Sequence, residues 1–264
     1  MIKRKRDNLI VEQYESTRDF LTTLDARDYN SFAETRRKSD KKFTGVATYD
    51  DAVNLLVNGY STPVKEFDRA KVSSVGYDMT PKFINCIAGG AVSVPRALAG
   101  VPTCMIKRVE QPQRARVVRL AIDVGRSGIV STHDIIEWGK RIVSLVRSIE
   151  RAGRRVQIDV FATCTDDFNS NRVNAFTLPI KNASQPLDLK RICFPLVHPA
   201  FQRVFKFDWY DRLPQDDVEY VWGYGHAVCY ETQETQDRVV RALFGDNCHY
   251  IGFNTDIDTL AREL

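Results

Sequence analysis

The chain has 264 residues, of which 43% are hydrophobic and 27% are charged, and this composition excludes a chain that is disordered throughout. The length allows one large domain, or a smaller domain with a long extension. The formal net charge of +4 is too small to establish a bulk attraction to nucleic acid. No run of about 18 uninterrupted apolar residues occurs, and the first residues are basic, so we expect neither a membrane-spanning segment nor a secretion signal.

The six cysteines are widely separated, and no two have the two-residue spacing of zinc ribbons or redox motifs. We expect reduced thiols that pack as small apolar side chains, which favours a cytoplasmic protein. These residues are Cys86, Cys104, Cys164, Cys193, Cys229 and Cys248.

The first 42 residues form a polar and charged N-terminal arm. Apolar residues between Leu9 and Leu24 recur at helical spacing, which predicts a helix that Asp7 or Asn8 caps. The segment 25–42 is rich in Asp, Asn, Ser and Arg and indicates a loop. We expect this arm to dock on the rest of the chain or on a partner.

Residues 43–112 form a second region, which we expect to be mixed in structure and to pack on the core. Residues 43–48 are predicted to be extended. Thr48 and Asp51 then form a capping box for a short helix that ends at Gly59. Prolines and glycines interrupt residues 61–103, and no regular structure is predicted there.

The third region, residues 113–264, has the clearest pattern. A buried strand from about Val117 to Ile122 leads into a glycine-rich turn, and a helix follows from a capping box at Ser131 to Gly153. A second strand covers residues 156–163. A strand, a helix and a strand in this order predict a βαβ unit, in which Asp123 and Thr163 end neighbouring parallel strands and face the same crevice.

The remaining pattern continues the alternation of strands and helices. We predict an edge strand over 173–180, a broken helix over 187–205, a strand over 217–225, a helix over 232–244, a short strand over 248–253 and a final helix from about Thr255. The predicted fold is a three-layer Rossmann-like α/β sandwich with a mostly parallel sheet and an N-terminal extension.

The segment from Val117 to Asp167 resembles the start of von Willebrand A-type domains of the cobaltochelatase kind. In these domains a strand ends in Asp-x-Ser-x-Ser, and here Asp123 and Ser127 match that motif. The joint Ala152-Gly153-Arg154-Arg155-Val156 and the segment 187–192 are also similar to the family. A further resemblance, to uncharacterised tailed-bacteriophage proteins with an Asp-x-Gly-x-Ser turn, covers most of the chain from Phe43 onward and implies a host-cytoplasmic or virion location.

The A-type resemblance implies a divalent cation, which the Asp, the two serines, a Thr and a second Asp hold in that family. The candidate ligands here are Asp123, Ser127, Asp166 and either Thr163 or Thr165, and such oxygen ligands suit Mg²⁺. Gly125 stands where the family has its first serine, so the implied site is incomplete. In the alternative interpretation no metal binds, and the Asp123 carboxylate only caps its turn.

Catalytic motifs of the common classes are absent from the sequence, and we assign no catalytic residue. His133 and His226 fall near the same predicted rim, where a histidine beside carboxylates can act as a general base. Two basic clusters are candidates for contact with nucleic acid or a partner, although such clusters also occur on ordinary solvated surfaces. These clusters are Lys3, Arg4, Lys5 and Arg6, and Arg36, Arg37 and Lys38.

We therefore expect a non-catalytic binding or assembly protein of a bacteriophage, with a protein partner or self-assembly. Two alternatives stay open. One is a metal-dependent enzyme that acts on phosphodiesters through Asp123, Ser127, Asp166 and His226. The other is a nucleic-acid-binding protein that uses the basic clusters.

Overall fold

A computed structural model describes residues 1–6, 9–30, 41–61, 79–112, 117–164, 173–218 and 227–264. It shows a mixed α/β protein with two sheets. The strands are β1 (Ile2–Arg6), β2 (Leu9–Gln13), β3 (Met79–Cys86), β4 (Ala91–Val92), β5 (Met105–Pro112), β6 (Val117–Asp123), β7 (Arg155–Cys164), β8 (Val173–Lys181) and β9 (His249–Ile251).

The helices alternate with these strands. They are α1 (Thr17–Asp25), α2 (Lys41–Thr44), α3 (Tyr49–Asn58), α4 (Val94–Leu98), α5 (Thr132–Arg151), α6 (Leu189–Val197), α7 (Phe207–Asp211), α8 (Gln233–Phe244) and α9 (Ile257–Glu263). A π-helical turn, Phe201–Lys206, joins α6 to α7. The predicted helices at 49–58, 131–153 and 232–244 are confirmed, each with a Ser or Thr side chain that caps its N-terminus.

The main sheet has six strands in the order β1-β2-β8-β7-β6-β9. Strand β6 runs parallel to β7 and β9, and β2 runs parallel to β8, whereas the β1–β2 and β7–β8 pairs are antiparallel. The sheet is therefore mixed. The predicted strand over 173–180 is confirmed as β8, but its predicted edge position is wrong, because the N-terminal strands β2 and β1 extend the sheet beyond it.

The N-terminal arm joins this sheet instead of forming one long helix. The predicted helix is wrong for Leu9–Gln13, which is strand β2, and right for Thr17–Asp25, where the Ser16 side chain accepts a hydrogen bond from the Asp19 N–H. The apolar residues over 9–24 do not form one helical face, because Leu9 packs on the face of the sheet that α8 covers, whereas Phe20 and Leu24 of α1 pack on the other face. Phe20 and Leu24 are completely buried there.

A buried carboxylate fixes the arm. Glu12 in β2 is 1% exposed, and its oxygens accept hydrogen bonds from Tyr14 Oη (2.6 Å), Trp209 Nε1 (2.9 Å) and both Arg27 Nη atoms (2.8 and 3.0 Å). Burial opposes ionisation, but the donors outweigh it, so the pKa of Glu12 lies below its usual value. This centre ties β2 to the segment after α1 and to α7.

Apolar residues cover both faces of the main sheet. On one face, alternate residues of β6, β7 and β8 pack against α1, α5, α6 and the π-helical turn. On the other face, Ala121, Phe161 and Ala175 pack with Val239 and Val240 of α8. Helices α5 and α6 approach so closely that a Cβ added at Gly139 would overlap the Leu196 carbonyl and lie 2.8 Å from Val197 Cα.

The predicted break in the helix over 187–205 is confirmed. Helix α6 ends before His198 and Pro199, and the chain resumes as the π-helical turn and α7. The prediction that residues 43–48 are extended is wrong at its start, because Phe43 and Thr44 end the short helix α2. The predicted strand over 217–225 falls almost wholly on residues 219–226, outside the described part of the chain. All six cysteines are free. Cys164, Cys193 and Cys229 are buried, as predicted, whereas Cys86, Cys104 and Cys248 are only partly buried.

Residues 79–112, where the sequence pattern was uninformative, form a separate three-stranded antiparallel sheet in the order β3-β5-β4, with α4 between β4 and β5. We call this element the small sheet. No residue from 81 to 110 is buried. Its exposed large apolar side chains are Phe83, Ile84, Ile87, Val92, Val94 and Leu98.

Across the described ranges, no helix combines the length and the hydropathy that crossing a bilayer requires.

Candidate functional site at the carboxyl end of strand β6

The central prediction about the rim of the sheet is confirmed. Strands β6 and β7 are parallel neighbours, with Asp123 opposite Phe161 and Thr163 two residues further on. Asp123 and Thr163 are both completely buried. The two side chains therefore lie at the same end of the sheet, outside which open α/β sheets bind ligands.

Backbone N–H groups occupy both oxygens of the Asp123 carboxylate. Oδ1 accepts a hydrogen bond from the Gly125 N–H at 2.7 Å, and Oδ2 accepts one from the Cys229 N–H at 3.1 Å. The first bond is the turn cap that the sequence offers as the alternative to metal binding. Burial raises the pKa of Asp123, although Arg126, Lys206 and the two N–H donors oppose the rise.

A second segment closes over this rim. Thr163 Oγ1 accepts a hydrogen bond from the Val228 N–H at 3.2 Å, next to the Cys229–Asp123 bond. Ala227 packs against Gly125, where an added Cβ would lie 2.8 Å from Ala227 Cβ and 3.0 Å from Asp123 Oδ1. A serine side chain would therefore have no room at position 125.

Ser127 contacts its own turn and one distant residue, Tyr230. Its Oγ accepts a hydrogen bond from the Ile129 N–H at 3.3 Å, and its own N–H donates to Tyr230 Oη at 3.3 Å. Ser127 is exposed, whereas Asp123 is buried. Its hydroxyl is therefore engaged in a turn at the surface.

Two buried cations accompany Asp123. The Arg126 guanidinium lies over the Trp138 ring, 3.9 Å from its centroid, and donates through Nη1 to the Gly125 carbonyl. Lys206, the last residue of the π-helical turn, is 1% exposed and close enough to Asp123 to favour its ionised form. Gln202 of the same turn donates to the Arg126 carbonyl.

The other candidate ligands cannot be placed at this rim. Thr165, Asp166 and His226 lie outside the described residues. His133 is exposed in the first turn of α5. Among the described residues, no group of three His, Cys, Asp or Glu side chains could hold a metal ion.

The first basic cluster, Lys3 to Arg6, lies on β1, the outer strand of the main sheet in the described part of the chain. Lys3 pairs with Asp217. Residues 3–5 are exposed. The second cluster, Arg36, Arg37 and Lys38, lies outside the described residues.

Sequence reasoning missed Gln202 and Lys206 at the rim and β3 in the small sheet. A lysine inside an apolar helical run normally extends its charge to solvent, so nothing in the sequence marks Lys206 as buried. Strand β3 lacks a regular alternation of apolar and polar residues, and Pro81 also argues against a strand there.

Comparison with known proteins gives one match. The family model described as "Domain of unknown function (DUF7192)" matches residues 3–247. No curated protein matches the chain. No solved structure matches it either.

Proposed function

We propose, from the premise that this chain belongs to the DUF7192 family, that it is a non-catalytic binding and assembly protein that associates with a second copy of itself through strand β3. The observation that carries the proposal is the contrast between two of the outer strands of the described sheets, β1 of the main sheet and β3 of the small sheet.

Basic residues protect almost the whole β1 edge of the main sheet, whereas on the β3 edge of the small sheet only Pro81 and Lys82 discourage pairing. Strand β1 is five residues long, and four of its residues are basic, which discourages pairing with another chain. Strand β3 is eight residues long and carries one charge, Lys82, beside the exposed Phe83 and Ile84. A long apolar edge is a template for strand addition.

The small sheet also has no core of its own. Phe83 is 67% exposed and Leu98 is 84% exposed, and both faces of the sheet are open. Three-stranded sheets gain independent stability by packing an apolar face. Covering these side chains with another molecule would stabilise the complex by roughly 25 cal/mol for each Å² of apolar surface removed from water.

A second copy suits this edge for two reasons. If β3 pairs antiparallel with β3 of a second copy across a two-fold axis, the same strand edge is covered in both copies. Closed dimers with such a self-complementary interface are the commonest soluble oligomers. The charges of the small sheet would interfere little, because Lys107 and Arg108 lie on the central strand β5 and only Lys82 lies on β3.

The main sheet would serve as the scaffold. We infer that it is a Rossmann-like three-layer sandwich related to degenerate A-type domains, on the basis of its parallel β6–β7 pair, its Asp-x-Gly-x-Ser turn and the apolar residues on both faces. A non-catalytic role is supported by Asp123, whose oxygens both accept from backbone N–H groups, and by the two cations beside it, which would repel Mg²⁺.

Sedimentation velocity over a wide range of concentration tests the proposal. We expect a reversible dimer for the wild-type chain, and for Phe83→Lys a dissociation constant about tenfold higher or more, which corresponds to 1.4 kcal/mol or more. Val57→Lys is the matched control, because Val57 is 52% exposed on α3 and lies outside the small sheet. A wild-type chain that stays monomeric at every concentration, or two variants that dissociate equally, would contradict self-association.

A nucleic-acid-binding role is the second candidate, and the run of four basic residues on β1 favours it. Binding through phosphates would weaken as salt concentration rises, because each contact releases counterions. Fluorescence anisotropy with a labelled oligonucleotide should then show lower affinity for Lys5→Gln than for the wild-type chain. Affinity that does not change with salt would exclude phosphate contact as its basis.

A further inference from the structure

The polar groups at the rim of β6 are not fully paired. The atoms Arg126 Nη2 and Gln202 Oε1 are buried and have no hydrogen-bond partner. Lys206 is 1% exposed, and no described residue forms a hydrogen bond or an ion pair with its ammonium group. Most buried polar groups in proteins are paired, so each exception needs an explanation.

The charges at this rim do not balance either. Arg126 and Lys206 contribute two positive charges. Both lower the pKa of Asp123, whose carboxylate contributes one negative charge when ionised. The Asp123 oxygens accept hydrogen bonds from two backbone N–H groups, and in the described structure the carboxylate forms no ion pair within 4.0 Å with either cation. An unpaired buried ammonium group is costly, and a bound anion would remove that cost.

The position of these groups fits a ligand. Gln202 and Lys206 lie about one turn apart in a π-helical segment, a rare geometry that is frequent at functional sites. The Gln202 amide donates to the Arg126 backbone carbonyl, and Arg126 and Lys206 both lower the pKa of Asp123, so the three residues lie near the carboxyl end of β6. The loop residues that follow Arg126, Ser127 to Ile129, are exposed.

We propose that Arg126, Lys206 and Gln202 bind a phosphate group at this end of the sheet, either inorganic phosphate or the phosphate of a small molecule. The guanidinium and ammonium groups donate to the anionic oxygens. Near neutral pH a phosphate still carries a P–OH group for part of the time, and this hydroxyl donates to Gln202 Oε1. Sulfate lacks that donor. The site therefore prefers phosphate to sulfate.

Thermal unfolding with inorganic phosphate tests the proposal, with sodium chloride of equal ionic strength as the reference. We expect 10 mM phosphate to raise the Tm by about 3 °C, the shift for a ligand at roughly ten times its dissociation constant. Sulfate should raise it less. Adenosine monophosphate in a parallel titration distinguishes the two sources: a larger shift than that of phosphate identifies a phosphorylated small molecule, and an equal or smaller shift identifies the free ion.

Lys206→Met separates binding from a structural role. In phosphate-free buffer this substitution should raise the Tm, because it removes an unpaired buried charge and keeps a side chain of similar length. It should also abolish the phosphate-dependent rise. The exposed Lys190→Met is the control and should retain the full rise. Gln202→Leu should reduce the difference between phosphate and sulfate.

Three results would overturn the proposal. The first is a wild-type Tm that phosphate raises no more than chloride does, a result that needs no variant to fold. The second is a Lys206→Met variant that keeps the phosphate-dependent rise. The third is a Lys206→Met variant with a lower Tm in phosphate-free buffer, because such a loss means that Lys206 is already paired.

Discussion

The main sheet and the small sheet use apolar residues in opposite ways. Strands β6 and β7 bury every residue from Leu120 to Asp123 and from Ile158 to Cys164, and helices cover both of their faces. The small sheet buries no residue from 81 to 110 and exposes Phe83 and Leu98. The main sheet therefore holds the stability of the chain, whereas the apolar surface of the small sheet is available for contact with another molecule.

Asp123→Ala should cause the largest loss in the main sheet. The substitution leaves the Gly125 and Cys229 N–H groups buried without an acceptor and removes the carboxylate beside Arg126 and Lys206. We expect the free energy of unfolding to fall by about 4 kcal/mol, at about 1–3 kcal/mol for each unsatisfied group. Urea denaturation measures this loss. Asp123→Asn keeps one acceptor oxygen and should lose less; equal losses for the two variants would contradict the assigned hydrogen bonds.

Gly139→Ala tests the close approach of α5 and α6. Alanine favours helices over glycine by about 1 kcal/mol, so propensity alone predicts a more stable protein. Because a Cβ at this position would overlap the Leu196 carbonyl, we expect a loss of about 3 kcal/mol in urea denaturation. Gly128→Ala is the control, because no atom lies within 4 Å of an added Cβ there. A stabilised Gly139→Ala variant would show that the two helices lie further apart.

Acid should weaken the main sheet through His198. Burial lowers the pKa of His198 to about 4, and its Nδ1 accepts a hydrogen bond from the Ala200 N–H at 3.1 Å. The unfolded chain binds a proton at higher pH than the folded one, so this stability is fully present above about pH 6.5 and is lost as the pH falls towards 4.

We expect protonation of His198 to lower the free energy of unfolding by about 2 kcal/mol. The whole pKa shift corresponds to roughly 3 kcal/mol, but His198 is partly exposed, and solvent screening reduces this figure. Urea midpoints between pH 7 and pH 4.5 measure it. His198→Asn should show a smaller decline over this range, after the contribution of the carboxylates, which both proteins share, is subtracted. Identical declines would mean that His198 titrates normally in the folded protein.

Leu98→Ser in the small sheet should have the smallest effect on stability. Leu98 is 84% exposed, so the free energy of unfolding of the dilute monomer should change by less than about 0.5 kcal/mol. Urea denaturation at low protein concentration measures the change. A loss of 2 kcal/mol or more would show that Leu98 packs inside the monomer, and the contrast between the two sheets would not hold.

The βαβ unit at the centre of the main sheet was predictable from sequence. The apolar run before Asp123, the capping box at Ser131 and the helical spacing up to Gly153 are local signals, and each agrees with the packing that surrounds it. The position of Asp123 and Thr163 follows from that unit, because its two strands run parallel and their carboxyl ends lie at the same edge of the sheet. The free, partly buried cysteines follow from their spacing.

Other parts of the fold depend on contacts between distant segments. Leu9–Gln13 became a strand because β8, more than 160 residues later, pairs with it, and an apolar spacing does not reveal such a partner. The burial of Lys206 also depends on distant segments, because the π-helical turn that carries it lies near Asp123 at the end of β6. Strand β3 has no buried face, so the alternation of burial that marks a strand in sequence is missing there.

Amide hydrogen exchange at low and high protein concentration tests the role of β3 most directly. If a second copy pairs with this edge, the outward-facing amides of Met79–Cys86 gain protection as concentration rises, and those of Ile2–Arg6 on β1 do not. Protection of β3 that is independent of concentration, or that rises equally on β1, would contradict self-assembly through the small sheet.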